Sequence, residues 1–93
     1  MQATINIRSS AYQALKNNPY ALAYVLVKNN MKVCHDLYAV EYTPDDIRVI
    51  SCKVVERYHA MFDQRNADID YKNASFVWNE SCRQVMAFVE ANA

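Results

Sequence analysis

Glu56, His59 and Asp63 stand at one-turn intervals and are the first residues of this 93-residue chain whose types and spacing could do chemistry. Glu-x-x-His is the unit that di-iron helical bundles use, where it occurs twice and is joined by two further inward glutamates. Here it occurs once, with Lys53 and Arg57 interleaved, so a solvated, salt-bridged face is expected in place of a metal centre. Cys34-His35-Asp36 sets a thiol, an imidazole and a carboxylate side by side. Adjacent helical residues point about 100° apart, so that run does not aim a nucleophile at its base. A Cys–His pair would have to be assembled by the fold, for instance from Cys82 and His59. Neither Cys-x-x-Cys nor a paired-histidine spacing is present to hold zinc. The three cysteines, Cys34, Cys52 and Cys82, are odd in number and widely spaced, and reduced thiols packed as small apolar groups are expected. The expectation is therefore no catalytic residue, no metal ligand set and no cofactor. A metal- or thiol-dependent enzyme built on Glu56, His59 and a cysteine is the minor alternative.

The tyrosines offer a different chemistry. There are seven, and two pairs, Tyr20 with Tyr24 and Tyr38 with Tyr42, are four residues apart, so each pair would share a helix face. Tyrosine combines a large apolar ring with a polar tip and is enriched where proteins meet. Charge is uneven along the chain. Residues 1–35 hold Arg8, Lys16, Lys28 and Lys32 and no acid, whereas residues 36–93 hold six basic and ten acidic residues, a balance of −4 that brings the whole to zero. Such asymmetry fits an anionic partner at the basic end or head-to-tail self-association. Tyr20, Tyr24, Lys28 and Lys32 are the residues expected to bind a protein partner.

The chain has no glycine, where average usage of roughly 7% would give about six or seven. Without it there is no P-loop, dinucleotide fingerprint, nucleophile elbow or EF-hand loop. A sandwich or barrel of many tight hairpins is equally disfavoured. Hydrophobic residues make up 53% and charged residues 22%, the balance of a folded single domain over 1–93. The longest apolar run, Tyr20 to Val27, is far short of the roughly 20 residues that span a bilayer. Met1-Gln2-Ala3-Thr4 opens without a basic region and apolar core, so a cytoplasmic protein is expected.

These residues need helices to position them. Thr43-Pro44-Asp45-Asp46 is a helix start, with an N-cap, a first-position proline and two carboxylates at the positive end of the dipole. Ile47, Ile50, Val54, Tyr58 and Met61 then recur every three or four residues, predicting a helix over about 44–65. Asp70 is placed to cap a second helix over about 71–91, with Tyr71, Ala74, Trp78, Cys82, Val85 and Val89 as its apolar line, Val77 and Phe88 flanking, and Glu80, Arg83 and Glu90 facing away. The two should form an antiparallel hairpin. Trp78→Ala is expected to be the most destabilising single change, by about 3–5 kcal/mol if the ring is well buried. Earlier in the chain, Asn17-Asn18-Pro19 opens a helix, and Leu22, Leu26, Val33, Leu37 and Val40 favour helix on both sides of Asn29-Asn30. Residues 3–8 alternate like a short strand, so the fold expected is a mainly α small bundle with that strand. The alternative is α+β, with a small sheet from 3–8 and 38–42.

The segment from Ala3 through Thr4-Ile5-Asn6-Ile7-Arg8-Ser9-Ser10 to Lys16 resembles the opening of ribbon–helix–helix DNA-binding proteins. That resemblance spans about 14 of the 93 residues, and Pro19 falls where the family's first helix would still run. It implies a dimer whose Thr4, Asn6 and Arg8 face the bases of a nucleic acid while Ile5 and Ile7 face the core. The reading preferred on the residues themselves is a small non-enzymatic cytoplasmic protein that binds and modulates another protein. Accessory and inhibitor factors of bacteria or phage are of this kind. A homodimer that binds nucleic acid through 3–8 is the alternative.

Overall fold

The computed structural model describes residues 18–62 and 71–92, with side chains from residue 74 onward in the second stretch. Three helices account for nearly all of it: α1 (Pro19–Tyr38), α2 (Pro44–Met61) and α3 (Tyr71–Asn92). The strand expected at 3–8, and its Thr4, Asn6 and Arg8, lie outside the described residues.

Short polar residues start the first two helices. At α1 the Asn18 Oδ1 accepts from the Ala21 N–H at 3.1 Å, with Pro19 in the first turn, where a missing N–H removes no helical bond. At α2 Thr43 and Asp46 form a reciprocal capping box. The Asp46 N–H donates to Thr43 Oγ1 at 3.2 Å, and the Thr43 N–H donates to Asp46 Oδ2 at 2.9 Å. Alpha1 continues through Asn29-Asn30 and ends at Ala39, which takes the left-handed conformation (φ 56°, ψ 32°) and donates its N–H to the His35 carbonyl at 2.9 Å. Residues 38–42 thus close a helix and cross to the next one, and no strand is present among the described residues.

Alpha2 stops at Met61 instead of near residue 65. Phe62 turns to extended backbone, which lets its ring lie 5.2 Å from that of Tyr58 and 5.4 Å from that of Phe76. Phe62 beside Phe76 and Arg57 beside Glu80 run in opposite chain directions, so α2 and α3 form the expected antiparallel hairpin. Alpha1 packs against both. The shared core comes from Leu22, Leu26, Val27 and Met31 of α1, Ile47, Ile50 and Val54 of α2, and Val77, Val85 and Val89 of α3. Val40 tucks in from the α1–α2 connection.

Several side chains sit elsewhere than their spacing suggests. Along α3 the fully buried line passes through Val77 and Ser81, and Trp78 and Cys82 stand one step around at its edge, half-buried. Leu37 and Met61, each in the last turn of its helix, are 63% and 58% exposed. Asn30 is fully buried, and Glu80, expected to face away, is only 6% exposed. No helix of the described residues is long and apolar enough to cross a membrane.

Candidate partner-binding face

Alpha1 turns one face to its neighbours and the other to solvent. Residues four apart advance about 40° around a helix, so Tyr20, Tyr24, Lys28 and Lys32 occupy a stripe about 120° wide. Lys28 and Lys32 are exposed, Tyr20 is at the border of exposure, and Tyr24 is half-buried with its ring resting on the core. The two rings lie 6.1 Å apart and tilted by 37°, so they brace one another at the start of the stripe. Tyr20 also lies within electrostatic reach of Arg48 on α2. The four expected partner-binding residues are therefore brought together on one face. Tyr38 and Tyr42 are not: Tyr38 ends α1 and is 56% exposed, whereas Tyr42 follows the left-handed Ala39 and lies edge-on to His35, ring centres 6.0 Å apart.

No acidic residue occurs between Pro19 and His35. Lys28 and Lys32 are the only Lys, Arg, Asp or Glu side chains of α1 before Asp36. The next stretch has the opposite character, with Asp36, Glu41, Asp45 and Asp46 before the first basic side chain at Arg48. Asp45 accepts from Arg48 Nη2 at 2.8 Å and from its Nε at 3.0 Å, while Asp46 is held by the capping box. The bond to Asp45 is also the main cause that raises the Arg48 pKa.

The reactive-looking groups are spread apart. Cys34 is 1% exposed and faces the core, and burial, reinforced by Cys82, pushes its thiol pKa up, away from the thiolate. His35 points outward, its Nδ1 3.1 Å from the Val40 carbonyl oxygen, and Asp36 is exposed. Cys52, expected to be packed, is exposed on α2. Cys82 receives a hydrogen bond from Asn30 Nδ2 at 3.5 Å across the α1–α3 contact. Glu56 is exposed one turn before His59, whose ring packs edge-on to Tyr58 with its Nδ1 buried and unpartnered. Asp63 lies outside the described residues. Among those described, no three His, Cys, Asp or Glu side chains are placed to hold a metal ion.

One charged cluster escaped the sequence reading. The Glu80 carboxylate is held by Arg83, which donates from Nε at 3.1 Å and also from Nη2, and by Gln84 Nε2 at 2.8 Å. Arg57 of α2 completes it at 3.9 Å. The Arg83 hydrogen bond is the main cause that lowers the Glu80 pKa, against a contrary push from burial. The signal lay in Glu80-x-x-Arg83-Gln84, an i, i+3, i+4 set able to wrap a carboxylate. This cluster ties α2 and α3 together, with the Glu80 carboxylate buried beneath two arginines that are more than half exposed. No protein-family model, curated protein or solved structure matches the chain.

Proposed function

We propose that this chain is a small non-enzymatic cytoplasmic protein that binds and modulates another protein through the outward face of α1, as accessory and inhibitor factors of bacteria and phage do. The observation that carries the reading is the gathering of Tyr20, Tyr24, Lys28 and Lys32 on one solvent-facing stripe of a helix free of acid from Pro19 to His35. Two mutually braced rings lose little rotamer freedom on docking and present apolar area with hydroxyl tips. The lysines add attraction to a partner with an acidic surface, and this acts mainly on the rate and salt dependence of association. Tyr20 is the expected anchor, and truncating an anchor of this kind costs about 2 kcal/mol or more of binding.

Affinity capture from host lysate tests it, with three baits: wild type, Tyr20→Ala, and Lys28→Glu with Lys32→Glu. A partner retained by wild type and lost or strongly depleted with both variants is the expected result. Capture of nothing, or of the same proteins in equal amounts by all three, removes this face from consideration.

A further inference from the structure

The solvent face of α1 changes sign along its length. Lys28, Lys32 and Asp36 are successive i, i+4 residues, all exposed, and Glu41 is exposed just past the end of the helix. Among the described residues none of the four takes part in an ion pair. Within one helix the order is the weaker one, since a lysine that precedes its acid by four residues opposes the dipole preference. Turned about a two-fold axis, the same order becomes self-complementary. If two α1 faces lie antiparallel with the axis near residue 34, Lys32 meets Asp36 of the second copy and Lys28 meets Glu41, and both contacts occur twice. An isologous contact needs this arrangement, one patch carrying both halves of each pairing.

We propose that two copies of this chain associate through antiparallel α1 faces, Lys28 and Lys32 of each opposite Asp36 and Glu41 of the other. Charge complementarity within a single face selects a second copy as the occupant. A second copy pairs both the lysines and the acids, whereas an acidic partner pairs only with Lys28 and Lys32. Apolar area on the stripe comes from Ala21, Tyr24 and Val25, each partly covered already, so the contact is electrostatic and reversible. The proposal rests on the functional reading only in taking this face as the exposed binding surface. Self-association then masks the lysines, and partner binding competes with it.

Sedimentation velocity on the full chain, over rising concentration up to about 1 mM, decides the matter. Wild type should pass from monomer to dimer at low salt and return to monomer at high salt, since exposed charges are screened over about 3 Å at 1 M against about 30 Å at 0.01 M. The pair Lys28→Glu, Lys32→Glu and the pair Asp36→Lys, Glu41→Lys should each be monomeric, with unchanged circular dichroism. Mixed in equal amounts they should restore a dimer. Repeating the mixture with Lys32→Glu and Asp36→Lys alone keeps the test valid should a double variant misfold. A wild type that stays monomeric, variants that associate unmixed, a mixture that does not pair, or species growing beyond a dimer would each overturn the proposal. Tyr20→Ala separates the two readings, because it removes the anchor for a partner and leaves the charge pairing of the dimer.

Discussion

Ala39 holds the junction between α1 and α2 in the left-handed region, a conformation that carries a Cβ clash of roughly 1–2 kcal/mol for an L-residue. The strain is tolerated because the same geometry lets its N–H reach His35 and sends Val40 into the core. Ala39→Gly should therefore stabilise the protein, by about 0.5–1 kcal/mol once the greater freedom of glycine in the unfolded chain is subtracted. The midpoint of urea unfolding, at unchanged slope, measures it. Glu80 sets a second test at this scale. Its folded pKa is depressed, mainly by Arg83, so its contribution is fully present above the ordinary carboxyl value near 4.5 and fades as pH falls through the folded value. Glu80→Gln should cost about 1–2 kcal/mol at pH 7. Repeated at successively lower pH below 4.5, the same comparison should show the difference shrinking. A constant difference would mean that the charge on Glu80 is not what holds Arg83 and Arg57.

At the scale of the helix, starts were more legible than ends or faces. Asn18-Pro19 and Thr43-Pro44 carry their capping atoms in the sequence, and both helices begin there. Ends depend on tertiary events: α2 stops at Met61 because the Phe62 ring is needed against Tyr58 and Phe76. Faces slip by a residue for a similar reason. Periodicity treats Trp78 as the centre of the α3 stripe, yet the indole lies half-buried and Val77 takes the fully buried position between the other helices. This relocates the weak point of the fold. Leu26→Ala, at a residue 2% exposed, should cost about 3–4 kcal/mol, and Trp78→Ala less, about 2 kcal/mol. Denaturant unfolding followed by far-UV circular dichroism ranks them, and the reverse order would show that Trp78 is the deeper anchor. The grouping of Tyr20, Tyr24, Lys28 and Lys32 along one stripe was legible because it needs only i, i+4 spacing on a helix. The interior roles of Asn30, Ser81 and Glu80 were not, since a polar side chain in a helix carries no local mark of which neighbour will cover it.

Across the whole molecule, one core receives side chains from all three helices, and the surface divides by charge instead of by chemistry. The division follows the chain, with Lys28 and Lys32 on α1 and then Asp36, Glu41, Asp45 and Asp46 through the turn into α2. Within the core, Asn30 Oδ1 and Ser81 Oγ are buried without hydrogen-bond partners. They leave the α1–α3 contact less tightly held than an all-apolar seam would be. The two helix-starting prolines have an effect that no native contact reveals. By fixing φ in a chain that has no glycine at all, Pro19 and Pro44 narrow the denatured ensemble, each by an entropy equivalent to about 0.4–1 kcal/mol. A fold of only 93 residues is thus supported partly by how few shapes its unfolded form can take.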